Sequence, residues 1–231
     1  MNTILRKSAL SVAGLMVTGG AVAGPAIATP AVAGPANGAP PTPPTPAESA
    51  PAPAAPPQPP PPGDEGKRVL PHDYQRQPNE YYCAPAATRI ALSTQGKVVS
   101  QREVAEKLGT TTDGTDSVDD TTRVLNDLTG GGYETTKIEG ATAEPEQVDR
   151  LRTDVIEAVD AKRGVVANTM GTAVDTSGEK HSFPGGHYMT IVGYRDGGEV
   201  LKIADPYDPT KHYWMSDDKA ADWIAQKGYS S

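Results

Sequence analysis

Sixteen of the 23 prolines in this 231-residue chain fall between residues 24 and 63, interleaved with alanine. Proline fixes φ and has no N–H to give, and alanine has little to bury. Such a stretch builds no packed core and reads as an extended, semi-stiff spacer. It therefore divides the chain. Ahead of it, "MNTILRKSALSVAGLMVTGGAVAGPA" carries a basic head (Arg6, Lys7), an apolar run and small residues at Ala21 and Ala23. That is the layout of a secretory signal peptide over residues 1–23, with Ala28 and Ala33 as alternative cleavage points. The apolar run is shorter than the ~20 residues that cross a bilayer, so no integral membrane segment is expected once the signal is removed. Behind the spacer, residues 64–231 have the length of one domain with a single core.

Charge narrows the partners of that domain. With the two basic and one acidic residues of the first 63 set aside, 19 basic side chains face 28 acidic ones, a net charge of −9. Such a surface repels nucleic acid and anionic lipid, and no basic stripe runs along the sequence to oppose it. A monomer that binds no nucleic acid is expected. Exported proteins usually pair their cysteines, yet Cys83 is the only one in the chain and can form no internal bridge. The thiol is either buried and inert or kept for its reactivity.

The pattern from Cys83 onward, "CAPAATRIALSTQG", has proline near the front and glycine past the end, which places Cys83 at or just before a helix N-terminus. A second helix is predicted at "SQREVAEKLGT", where Ser100 and Glu103 form a capping box and Gly109 stops it. A third follows at "SVDDTTRVLNDLTGGG", and a fourth at "EPEQVDRLRTDVIEAVDAKRG" with Val148, Leu151, Val155 and Val159 on one face. From residue 164 the period becomes that of strands, at "VVANTM", "HYMTIVGYR", "VLKIADP" and "HYWMS". A short helix at "DKAADWIAQKG" then packs Trp223 and Ile224 on the sheet. Helices first and an antiparallel sheet afterwards define an α+β domain.

A helix N-terminus stabilises a thiolate through its unpaired N–H groups, and a nearby imidazole can take the thiol proton. Of the four histidines, His72 lies ahead of the domain's first helix, His181 in a polar glycine-containing loop, and His212 at a late strand start. His187 stands at the beginning of the most apolar strand, where a side chain can be held in one direction, and is the best base. Asp205 ends the next strand. If the two strands pair through "RDGGE", the start of one lies beside the end of the other and the carboxylate can orient the imidazole. An oxyanion donor is also needed: the Cys83 N–H is one candidate, and Gln77 the favoured side-chain amide, with Gln75 and Asn79 as rivals.

The segments "QPNEYYCAPAAT", "GGHYMTIVGY" and "IADPYDP" resemble the signature segments of the papain-like cysteine peptidases related to the bacteriocin-leader (double-glycine) peptidases, of the stand-alone secreted bacterial kind. The resemblance covers roughly residue 70 to the C-terminus. It implies a papain-like fold, N-terminal helices packed on an antiparallel sheet, with Cys83 as nucleophile, His187 as base, Asp205 as orienting acid and Gln77 as oxyanion donor. It implies a cysteine-type peptidase of peptide or protein substrates, working through an acyl-enzyme. Members of that family typically carry glycine directly after the nucleophile; this chain has Ala84.

The same residues admit plainer accounts: Cys83 as a small core residue, His187 as a structural strand-end histidine, Asp205 as a turn starter before Pro206. The acidic run "DGTDSVDD" lacks the alternation and closing glutamate of a calcium loop, and the histidines and the cysteine have no zinc spacing, so neither metal nor cofactor is expected. Other functions open to such a site are peptide binding without turnover and acyl transfer to an amine. The expected location is outside the cell, free or held at the cell wall.

Overall fold

The computed structural model describes residues 66–207 and 212–231. The expected signal peptide, spacer and domain start at residue 64 lie outside the described residues. Four helices, α1 (Cys83–Ser93), α2 (Gln101–Leu108), α3 (Val118–Thr129) and α4 (Pro145–Asp160), precede the main strands. These are β3 (Val165–Val174), β4 (Lys180–Arg195), β5 (Val200–Ala204) and β6 (His212–Ser216), followed by α5 (Asp217–Ile224). Three short strands were not expected from the sequence: β1 (Arg68–Val69), β2 (Thr135–Thr136) and β7 (Gly228–Ser230). All pairings are antiparallel, in the order β2-β7-β3-β4-β5-β6, with β1 added beside the far end of β4. The fold is α+β, as the sequence order implies.

Alternation along the central strands sends helices to both faces. Val165, Ala167, Met189, Ile191, Leu201 and Ile203 pack against Leu151, Val155 and Val159 of α4 and Trp223 and Ile224 of α5. Val166 and Tyr188, one residue out of phase, pack against α1, α2 and α3. Helix ends follow their sequence signals in part. Ser100 Oγ accepts from the Glu103 N–H at 3.1 Å, and Gly109 closes α2 in the left-handed conformation. The fully reciprocal cap is at α4, between Glu144 and Gln147.

Two expectations change. β4 begins at Lys180, seven residues before His187, so His187 is mid-strand. His181 is likewise a strand residue; it is buried against Asp175, with its Nε2 3.1 Å from Oδ2. Serine, glycine and proline concealed the first half of that strand. The structure also gathers three cations that lie far apart in the sequence: Lys67, Arg195 and Lys202 surround the Trp214 ring at 5.9, 5.0 and 5.0 Å. Among the described residues no helix is long and apolar enough to cross a membrane.

Candidate active site

Helix α1 starts at Cys83 after Tyr82, which provides no side-chain cap, and its first turn holds no acidic residue. The positive end of the helix dipole is thus left to the sulfur. Two contacts set the height of α1 on the sheet. Thr190 Oγ1 donates to the Ala87 carbonyl at 2.8 Å, and the Tyr188 N–H donates to the Cys83 sulfur. Arg89, buried on the same helix, donates to the Val99 carbonyl and to both the carbonyl and carboxylate of Asp73. It thereby ties α1 to the approach segment that carries Gln77.

The β4–β5 hairpin brings the imidazole and the carboxylate together. Thr190 pairs with Ala204, so the next step of the register sets Asp205 opposite Met189, on the same face as His187. His187 Nε2 lies 2.7 Å from Asp205 Oδ1, and both residues are almost fully buried. The imidazole also acts on the Cys83 thiol, the other group close enough to shift it. Phe183, the one phenylalanine of the chain, stacks on the ring with centroids 3.9 Å apart. Asp205 is itself held: Oδ1 accepts the Tyr207 N–H at 2.9 Å and Oδ2 the Tyr213 hydroxyl at 2.9 Å. The Tyr74 hydroxyl donates to its backbone carbonyl.

This arrangement favours the charged forms of all three groups. For Cys83, burial alone pushes the thiol up, but the His187 hydrogen bond and charge, helped by the N–H groups of Tyr188 and Ala84, bring it below 9.0. Burial likewise acts against a charged His187, yet its bonds to Asp205 and Cys83 raise it to about 9. Asp205 is desolvated and still lies below 3.8, because of His187, the Tyr207 N–H and the Tyr213 hydroxyl. His187 is thus protonated at neutral pH, and the thiol and the carboxylate are each drawn toward their charged forms.

Gln77 is buried, and its N–H donates to the Pro206 carbonyl at 2.8 Å, directly beside Asp205. Its Nε2 donates to the Asn79 carbonyl at 2.8 Å, which fixes the amide plane; a primary amide has a second N–H. Of the rivals, Asn79 accepts the Tyr81 N–H at its Oδ1, and Gln75 Oε1 faces Gln101 Nε2 at the surface. His72 and His212 pair with each other, Nε2 to Nε2 at 2.8 Å. Among the four histidines, the one that meets Cys83 is His187.

A cleft of about 300 Å³ opens beside the sulfur. Asn168, Tyr188 and the side-chain-free Gly185 and Gly186 line it, with the carboxylates of Glu80, Asp113 and Asp116 and one cation, Lys227. A second hollow of about 520 Å³ borders Gln77 and Tyr207 and shares Glu80 with the first. Ala84 borders neither. Its methyl is fully buried in the cluster with Ala87, Leu92 and Val104, so it cannot narrow the approach to the sulfur. Among the described residues no group of three or more His, Cys, Asp or Glu side chains could hold a metal ion. Sequence reasoning missed Tyr213; the alternation of "HYWMS" turns it inward, but nothing in the sequence aims it at Asp205.

Helices before an antiparallel sheet, with a thiol at the head of the first long helix and an imidazole on a central strand, define the class of papain-like α+β proteins. The family is shown by the sequence as well: the model of the Peptidase_C39 like family matches residues 69–231, and the chain belongs to that family. Among solved structures, one described as a C39-like peptidase from Bacillus anthracis is similar to this chain at a TM-score of 0.50 and 14% identity. It covers 71% of this chain and 96% of its own. The peptidase domain of Streptococcus ComA, a bifunctional ABC transporter of a quorum-sensing pathway, gives a TM-score of 0.46, also at 14% identity, over 71% of this chain and 96% of that one. A double glycine motif protease from an AMS/PCAT transporter, solved with its leader peptide, gives 0.43 and 14%, over 73% and 94%. A comparison with curated proteins finds no match.

Proposed function

We propose that this chain is a secreted cysteine peptidase that hydrolyses peptide bonds through an acyl-enzyme, with Cys83, His187, Asp205 and Gln77 as its working residues. One observation carries the reading: the Asp205 carboxylate is hydrogen-bonded to His187, and the imidazole acts in turn on the Cys83 thiol at the head of α1 and at the edge of an open cleft. The Cys83 thiolate attacks the scissile carbonyl, forming a C–S bond while the C=O pair moves to oxygen. The Cys83 N–H, which no intrahelical carbonyl can take, and the second N–H of the Gln77 amide receive that oxyanion. As the oxyanion collapses, the C–N bond breaks and His187 gives its proton to the leaving amine. Water then attacks the thioester, His187 takes a proton from it, and the acid leaves with Cys83 restored as thiolate. Asp205 keeps its charge throughout and holds the ring by Nε2.

The test is a peptide-library digest with the full chain beside its Cys83→Ala form, with products read by mass spectrometry. The native chain cleaves and the variant does not; equal cleavage by both overturns the mechanism. An added amine nucleophile that captures the acyl group in preference to water makes the enzyme a transferase. Binding without cleavage by either form makes it a peptide-binding module. Export is tested separately: the protein from the culture medium should begin at or near residue 24.

A further inference from the structure

Asp205 offers His187 one oxygen, and what happens at the other decides whether that offer is stable. Oδ1 takes His187 Nε2 and the Tyr207 N–H, while Oδ2 receives the Tyr213 hydroxyl in a buried setting. A buried carboxylate oxygen that loses its donor keeps the full desolvation cost. The carboxylate then has two ways out, to rotate away or to take up a proton, and either one withdraws the negative charge from His187. Tyr213 cannot easily follow such a rotation. Its backbone pairs with Ile203 across β5 and β6, and its ring lies flat on His181, centroids 3.8 Å apart and planes at 16°. His181 in turn is anchored to Asp175, which the Ser177 hydroxyl also binds.

We propose that Tyr213 is a positioning residue of this site: its hydroxyl, braced by the stacked His181–Asp175 pair, pins the outer oxygen of Asp205 and so keeps His187 aligned with Cys83. The inference rests on the peptidase reading above and extends it beyond the four working residues. Tyr213 lines neither the cleft nor the hollow beside Gln77, and besides Asp205 its hydroxyl meets the Met189 sulfur at 4.0 Å; it acts on the site through the carboxylate.

The test compares Tyr213→Phe with Tyr229→Phe in the full chain. Tyr229 makes the same kind of buried bond, hydroxyl to Asp154 Oδ2 at 2.8 Å, with no link to Asp205. The Cys83 thiolate is titrated by its ultraviolet absorbance, and acylation is timed with an activated ester. Tyr213→Phe should move the thiolate titration up by about one pH unit and slow acylation roughly ten- to hundredfold, the size of a lost hydrogen bond to a charged group. Tyr229→Phe should move neither. If Tyr213→Phe leaves both unchanged, or if the two variants shift them alike, the inference is overturned. If the native thiolate itself titrates like an ordinary buried thiol, the peptidase reading fails and this inference fails with it. Should Tyr213→Phe not fold, a ring-fluorinated tyrosine at position 213 replaces it. Its fluorine resonance must shift over the pH range in which Cys83 titrates, and a resonance that stays still there overturns the inference.

Discussion

Burial by itself works against a Cys83 thiolate, and the groups that reverse it are few: the His187 ring and the N–H groups of Tyr188 and Ala84. Deleting the largest helper should therefore expose the burial. In His187→Ala the thiol should titrate higher than in the native protein, and iodoacetamide labelling near neutral pH should fall at least tenfold; unchanged labelling would show that the helix end alone makes the thiolate. In the native protein the alkaline limb of activity should lie near pH 9, where His187 loses its proton. The raised value of His187 adds folding stability that is fully present below about pH 6.5 and is lost as pH rises through about 9, while the lowered value of Cys83 adds stability that is present above its unfolded-chain value and is lost as pH falls. Asp205 acts in the same sense as Cys83: its lowered value adds stability that is present above about pH 3.9 and lost as pH falls through the folded-state value. Ala84, the departure from the family's glycine, is fully buried among apolar side chains. Ala84→Gly should cost about 0.5–1 kcal/mol in helix propensity and leave turnover unchanged. A rise in turnover would show that the methyl meets substrate after all.

Cys83, His187 and Asp205 were legible in the sequence because each sits at an element boundary or strand pattern that local chemistry marks: a proline-led helix start, an apolar strand and a hairpin turn. Tyr213 and the Tyr188 N–H were not, since their parts depend on which strands become neighbours. The same holds for β1, a two-residue strand that exists because Gly193 leaves room for it. A Cβ at Gly193 would stand 2.3 Å from the Arg68 carbonyl oxygen and 2.8 Å from the Val69 Cα. β1 leads through Leu70, whose N–H donates to the Val192 carbonyl, into the approach segment that ends at Gln77. Gly193→Ala should therefore push β1 off β4, lowering stability by roughly 1–3 kcal/mol. It should also reduce turnover of the molecules that remain folded, because Gln77 shares that segment. Thermal unfolding together with a Cys83 active-site titration separates the two effects, and an unaltered melting temperature would mean that β1 is not held by this pairing. His181 shows the opposite limit, since its loop-like surroundings in sequence, rich in serine and glycine, concealed a buried strand position.

The chain carries a formal net charge of −8, and the cleft beside Cys83 repeats that sign locally, with Glu80, Asp113 and Asp116 against Lys227. The positive spot around Trp214 is built from other residues, none of which lines the cleft. The field at the site is therefore one that draws in cations. A peptide with lysine or arginine close to the scissile bond should be cleaved with a higher kcat/KM than its glutamate counterpart. The advantage should be screened by salt, since the Debye length falls from about 30 Å at 0.01 M to about 8 Å at 0.15 M. Asp113→Asn with Asp116→Asn should flatten that salt dependence without shifting the alkaline limb, because the two carboxylates act on the incoming peptide and His187 answers to Asp205 and Cys83. Equal rates for the lysine and glutamate peptides at low salt would show that the walls of the cleft, and not its charge, select the substrate.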